Sequence, residues 1–423
     1  MKNYLKHHPI LEIPTLPLVN FFYKGTCYQA SKGSMISSAL MANGIDVIGH
    51  HHKDHRAQGL FCANGQCSQC LIMANGITVK ACVTEILSDM VLEPLDRLPV
   101  LNPPSPGPTL FKESRIETCD VLIIGGGPAG LSAALFLSDY PYRIIIVDDK
   151  PEPGGKLTLQ THQFFGSIRD CYAGTRGFEI ARHLTASLKD KTGVTIMTRA
   201  MAVGIFEDQQ VGVSTPEGYR RIKPKVVLNA TGAREKMLSF PGAYLPNIYG
   251  AGAFQTLVNR DLIRPANRIL VVGGGNVGLI AAYHALQAGI EVAAVIEAMP
   301  QVSGYWVHRD KIVRLGIPVL TSHTLISCRG SDRVESATIA GIDSRFKAIP
   351  GSERNIRVDT VLIGVGLTPV DELVKQAERV GLPCFQAGDA QEIADASAAF
   401  FGGKIAAAKI LHHLSGTSPY SLE

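Results

Sequence analysis

The chain has 423 residues, 46% of them hydrophobic and 18% charged, with a formal net charge of +4. That length exceeds one ordinary hydrophobic core, so two or three domains are expected. The positive charge is small and scattered, which excludes an electrostatic nucleic-acid surface. The opening residues lack the unbroken apolar core and cleavage site of a secretion signal, so a cytoplasmic protein is expected. Nine cysteines in that setting point to metal or redox work rather than structural disulfides. Residues 121–138 and 269–289 run long without a charged side chain, but each is broken by three glycines after a short aliphatic run. A strand, a tight turn and a helix explain both, and no membrane span is expected.

In chain order, the first block runs over residues 1–100 and holds FCANGQCSQCLIMANGITVKAC, residues 61–82. Its thiols Cys62, Cys67, Cys70 and Cys82 are spaced C-x4-C-x2-C-x11-C. Four thiolates would satisfy a tetrahedral zinc, but zinc sites usually show two matched C-x2-C knuckles, and Cys82 stands alone. A C-x4-C-x2-C run with a separate fourth thiol is the plant-type [2Fe–2S] spacing. The small turn Ala63-Asn64-Gly65 lets the backbone wrap such a centre. His50, His51, His52 and His55 lie just upstream and read as a solvated loop rather than a metal patch. The proline-rich stretch 101–117 reads as an extended linker.

From Asp120 on, aliphatic strands alternate with helical patterns, the mark of doubly wound α/β domains. Gly125-Gly126-Gly127-Pro128-Ala129-Gly130 follows one strand and fits G-x-G-x-x-G, a turn that brings backbone N–H groups to a pyrophosphate. Asp148 closes the next strand where a ribose hydroxyl would sit, with Asp149 as the neighbouring choice. Gly154-Gly155, Ala230-Thr231-Gly232 and Gly388-Asp389 follow in an order that points to a flavin dinucleotide, with Asp389 available to a ribityl hydroxyl. A second fingerprint, Gly273-Gly274-Gly275-Asn276-Val277-Gly278, is followed by Glu297 at the end of its next strand. A carboxylate there accepts from a 2′-hydroxyl and repels a 2′-phosphate, which favours NAD; packing alone or another adenine nucleotide are the competing readings. Cys119, Cys171, Cys328 and Cys384 are scattered and read as small buried hydrophobes. No cysteine pair stands near the flavin motifs, so disulfide reductase activity is not expected.

This order resembles the two-dinucleotide-domain flavoproteins, the group that includes thioredoxin reductase and glutathione reductase. The resemblance implies FAD in a discontinuous domain, 118–235 plus 352–423, with an NAD-type domain at 236–351 between its halves. The cysteine block, with ASKGSMISSALMANGIDV (30–47) and FPGAYLPNIYGAGAFQTLVN (240–259), resembles a narrower group. In hydrogen cyanide synthase and the opine, hydroxyproline and proline dehydrogenases, a small [2Fe–2S] subunit partners an FAD subunit. The sarcosine oxidase alpha subunit has a related fused arrangement. Two departures stand out: the sequence reads to Glu423 without the additional cysteine-rich domain of many flavin subunits, and Lys156 follows Gly154-Gly155 where glutamine is expected.

The fold expectation is therefore α/β, with an α+β ferredoxin-like domain ahead of two doubly wound parallel-sheet domains. The resemblance implies the electron-transfer subunit of an amino-acid or amine dehydrogenase, with a second flavoprotein subunit oxidising the substrate and a further acceptor protein beyond. A self-contained NADH:acceptor reductase, a subunit of a glycerol-phosphate or hydroxy-acid dehydrogenase, and a nucleotide-sensing zinc module are the alternatives. No general base stands out from the sequence. Lys156 and His162 are the weak catalytic candidates, His162 reading better as a loop residue.

Overall fold

A computed structural model describes residues 3–98 and 116–416. The linker expected over 101–117 lies outside the described residues except for its last two positions. The chain divides into two compact units: Met1–Pro104 with Glu235–Gly366, and Ser105–Arg234 with Leu367–Glu423.

The first unit opens on a five-stranded sheet ordered Thr26–Ser31, Leu18–Tyr23, Met90–Pro94, Leu71–Ala74, Ile77–Lys80. Both tight hairpins use two successive residues with positive φ, Lys24-Gly25 at 50° and 75° and Asn75-Gly76 at 48° and 79°. Such turns match the right-handed twist of paired strands, and Asn75 reinforces its own by accepting from Val91 N at 2.8 Å. The helix Ile36–Ala42 is buried along its whole length. A parallel sheet follows, ordered Ile248–Gly250, Thr360–Ile363, Arg268–Val272, Glu291–Glu297, Val319–Thr321, with an antiparallel sheet of His323–Arg329, Ser336–Gly341 and Arg354–Arg357 beyond it.

The sequence separates residues 1–100 from 236–351, yet one apolar core runs through both. It joins Phe21, Leu40, Ile72 and Leu92 with Tyr249, Phe254, Leu257 and Val258. Full burial of each aliphatic side chain contributes about 1.5–3 kcal/mol, against about 1 kcal/mol net for a hydrogen bond, so this core dominates the union. Polar contacts set its register: Ser38 Oγ donates to Asp261 at 2.6 Å, Arg333 pairs with Asp46 at 2.9 Å, and Gly250 N donates to Phe61 O at 3.0 Å. Sequence reading puts the return from the inserted domain at 352. Instead Thr360–Ile363, buried at all four positions, lies between two parallel strands of this unit, and the chain leaves it after Gly366. A fully buried aliphatic run belongs in the middle of a parallel sheet.

The second unit has Val194–Met197, Ile144–Val147, Ile116–Ile124 and Gly218–Asn229 as parallel neighbours, with Cys384–Gln386 also parallel to the last of these. Val211–Thr215 and Met201–Ile205 extend it as an antiparallel ribbon. Helices Pro128–Leu137, Gly177–Lys189 and Ala396–Ser415 cover the sheet over a core that includes Ile123, Leu131, Ile146, Leu184, Leu228 and Phe400. Gly403 lets the helix Ala396–Ser415 approach closely, since a Cβ there would stand 2.2 Å from Ala129 O. Among the described residues no helix is long and apolar enough to cross a membrane.

Candidate functional site

The eleven residues between Cys70 and Cys82 are a hairpin, which explains why the fourth thiol can stand so close in sequence. Leu71 pairs with Lys80, Ala81 N donates to Cys70 O at 2.9 Å, and Cys82 is thereby returned beside Cys70. On the other side, Ala63 and Gly65 take positive φ of 50° and 83° and bend the loop around Cys62 and Cys67. Cys62, Cys70 and Cys82 are buried and Cys67 is half-buried.

The thiols meet in a row: Cys67 and Cys82 both bond to Cys62, and Cys82 also bonds to Cys70. These bonds hold the Cys62 and Cys70 thiols below their ordinary range. Giving those protons, together with burial, pushes Cys67 and Cys82 up. Backbone N–H groups also face the sulfurs. Cys67 N donates to Cys62 Sγ at 3.3 Å, with Asn64 N on the same sulfur, Gln69 N on Cys67 and Cys82 N on Cys70. Three buried thiols and a half-buried fourth, with peptide donors aimed at Cys62, Cys67 and Cys70, fit an iron–sulfur centre, whose thiolates need that stabilisation. Among the described residues no three ligating side chains close round a single ion position. In the upstream loop His50 Nδ1 faces Asp96 at 3.3 Å and His51 Nδ1 faces Asp54 at 2.9 Å, while His52 and His55 are exposed.

The first glycine turn is built around two backbone collisions that only glycine avoids. A Cβ on Gly125, at φ 107°, would stand 2.2 Å from Ala230 O, and one on Gly130 would stand 1.9 Å from Gly125 O. Gly127 differs: its nearest neighbour would be Gly155 Cα at 3.9 Å, so no protein atom demands a glycine there. Pro128 and Ala129 start the helix, Pro128 where no intrahelical donor is needed. Of the two acids, Asp148 is buried and accepts from Gly126 N at 2.7 Å, and burial pushes its carboxyl up. Asp149 turns to an exposed ion pair with Lys150 at 2.5 Å. Gly154 N donates to Gly126 O at 2.7 Å, which draws Gly154-Gly155 over the turn. Thr231 Oγ1 donates to Val370 O at 2.7 Å beside Gly232. Gly388 sits against Ala129, where a Cβ would be 2.9 Å away, and Asp389 accepts from Ala394 N at 3.3 Å with its carboxyl raised by burial. Lys156 is exposed. His162 is buried, stacked on Phe165 at 4.7 Å, and accepts from Phe164 N, the surroundings of a packed loop histidine.

The second turn repeats this construction. A Cβ on Gly273 would stand 2.2 Å from Gly364 O and one on Gly278 2.1 Å from Gly273 O, while Gly275 would meet only Ser303 Oγ at 3.6 Å. Glu297 accepts from Gly274 N at 2.7 Å and Met299 N at 2.8 Å. Gly304 N donates to Gly274 O at 3.0 Å, as Gly154 does in the first turn, and Asn276 Oδ1 accepts from Tyr305 N at 2.7 Å. The helix carrying Asn276 and Val277 is held by Gln255, which donates to Val277 O at 3.3 Å. Sequence reading passes over Gly304; its signal is a lone glycine beyond the acidic strand end, where the first turn has Gly154.

Residues 119–394 match the pyridine nucleotide-disulphide oxidoreductase family model. The chain belongs to that family. Residues 17–96 match the 2Fe-2S iron-sulfur cluster binding domain, so this member of the family carries a second cofactor domain ahead of its flavoprotein fold. FAD and a [2Fe–2S] cluster are the cofactors of these two parts. The sarcosine oxidase alpha subunit of Corynebacterium sp. (strain U-96) is 25% identical over 373 residues, covering 84% of this chain and 38% of that one. Hydrogen cyanide synthase subunit HcnB of Pseudomonas aeruginosa is 23% identical over 335 residues, covering 70% of this chain and 72% of that one. The chain thus spans about two fifths of the sarcosine oxidase alpha subunit. The L-proline dehydrogenase of P. horikoshii shares the fold, with TM-score 0.72, 20% identity and coverage of 97% of this chain and 77% of that one.

Proposed function

We propose that this chain is the electron-transfer subunit of a multi-subunit amino-acid or amine dehydrogenase. The observation that carries the reading is the presence, in one polypeptide, of the largely buried four-thiol group and the flavin-type glycine turn. FAD exchanges an electron pair and a [2Fe–2S] cluster exchanges single electrons, so the two together convert paired transfer into single transfer. Cys62, Cys67, Cys70 and Cys82 would hold the cluster. Gly125, Gly127 and Gly130 would open the pyrophosphate cradle, Asp148 would take the ribose, and Asp389 the ribityl chain. The relatives' own names, each a subunit of an oxidase or synthase, support a hetero-oligomer. In this reading a second flavoprotein subunit oxidises a CH–NH substrate. A cytoplasmic compartment, which keeps thiols reduced, suits such a centre.

The test is visible spectroscopy of the complex purified anaerobically with its partner subunits. Flavin and cluster bleach on adding proline, hydroxyproline, sarcosine or glycine, and the isolated chain does not bleach with NADH. Rapid bleaching of the isolated chain by NADH would replace this reading with a self-contained NADH:acceptor reductase.

The completeness of the second turn favours an adenine dinucleotide there, with Glu297 on the ribose. Glu297→Gln keeps an acceptor for Gly274 N but removes the charge that disfavours a 2′-phosphate. Its preference for NAD over NADP, measured by calorimetry, is expected to fall about tenfold, since a hydrogen bond to a charged group contributes about 1.5–3 kcal/mol. An unchanged ratio would show that Glu297 serves the turn alone.

A further inference from the structure

One charged side chain reaches the thiol loop without belonging to it. Lys80 ends the strand Ile77–Lys80, immediately before the Ala81 N–H that ties this hairpin to Cys70. Its ammonium turns back to donate to Gly65 O at 2.6 Å, inside the loop between Cys62 and Cys67. Residues 62–70 contain no Lys, Arg, Asp or Glu, so apart from its thiols the loop has no charge of its own. Lys80 is half-buried, and among the described residues its ammonium pairs with no carboxylate. An uncompensated, partly desolvated positive charge is thus bonded to the backbone that wraps the thiols.

We infer that Lys80 is a positioning residue that sets the redox poise of the centre, raising its one-electron reduction potential and biasing it toward accepting electrons. The inference rests on the reading that the four thiols hold a [2Fe–2S] cluster. Uptake of one electron adds one negative charge to a centre already bearing four thiolates, and no bond need form or break. A fixed cation nearby stabilises the more negative form, and net charge and hydrogen bonding are among the main determinants of such potentials. Partial burial leaves that attraction less screened than a surface pair would be. The peptide donors on Cys62, Cys67 and Cys70 act in the same direction.

The test is a dithionite titration of the full chain with redox mediators, followed by electron paramagnetic resonance, for wild type, Lys80→Arg, Lys80→Gln and Lys80→Met. Removing the charge is expected to make reduction about tenfold less favourable, which at about 59 mV per decade for one electron is a potential lower by about 59 mV. Lys80→Met and Lys80→Gln should both show this shift with iron content and g-values retained, and Lys80→Arg should stay near wild type. If Lys80→Met loses iron, Lys80→Gln against Lys80→Arg decides the matter. Equal potentials in Lys80→Gln and Lys80→Arg, with intact clusters, would overturn the inference and leave Lys80 a mechanical tie. A wild-type chain that shows no [2Fe–2S] signal on reduction would overturn the cluster assignment itself.

Discussion

Replacing Cys70 by serine strips iron and acid-labile sulfide from the chain and leaves its flavin in place. Cys70 is fully buried, bonds to Cys82, and receives Ala81 N on its own carbonyl, so it is the point at which loop and hairpin meet. An alkoxide is a poor substitute for a thiolate toward iron. Even outer-shell partners of metal ligands cost about 10–100-fold in affinity, so losing a ligand should lower occupancy by at least that much. Flavin content should hold because the first glycine turn lies in the other compact unit, over a separate core. The free energy of cluster binding is also folding free energy, so the thermal midpoint of the first unit should fall. Cys27→Ser is the control: Cys27 is exposed, and its replacement should stay within about 0.5 kcal/mol of wild type. Iron and sulfide assays beside the flavin absorbance make the comparison, and full iron in Cys70→Ser would sink the ligand assignment.

The second expected result separates glycines that the protein needs from glycines that its ligand needs. Gly130→Ala drives a Cβ to 1.9 Å from Gly125 O, a backbone atom inside a packed turn that no rotamer change relieves. It should cost at least the ~1–3 kcal/mol of an overpacked core position and lower the unfolding midpoint accordingly. Gly127→Ala meets nothing closer than 3.9 Å, and its backbone, at φ −76° and ψ −173°, suits any residue. That variant should fold with an unchanged midpoint yet bind FAD poorly, because the added methyl occupies the approach of the pyrophosphate. Gly275→Ala, with φ −74° and ψ 171°, should fold normally and keep FAD while losing affinity for NAD at the second turn. Flavin retention on gel filtration and calorimetry with NAD read the three variants apart. A Gly127→Ala chain that retains FAD at wild-type affinity would refute the cradle assigned to this turn.

Only part of each glycine turn's geometry is local. Each glycine fingerprint is legible because turn, helix start and backbone approach are made by consecutive residues, and those steric demands leave glycine little alternative. Asp148 is legible as the first choice from its place at the strand end, but what Asp149 does instead is not, since adjacent residues on a strand end point to opposite faces and only packing shows that Asp149 turns to Lys150. Gly304 escaped for a related reason. Its role is to donate to Gly274 O from beyond the next strand, and no fixed spacing announces such a contact.

Read from the residues alone, the chain declares its thiol spacing, its two glycine turns, the acids that close the following strands, and hence its α/β class. All of these depend on residues near one another in sequence or on strand periodicity. Only the tertiary structure shows that the thiol domain and the NAD-type domain share one apolar core, and that Thr360–Ile363 stays with the inserted sheet. It alone brings the Lys80 ammonium to Gly65 O. Those outcomes depend on contacts between distant residues, which burial of apolar surface selects across the whole fold and which no local pattern encodes.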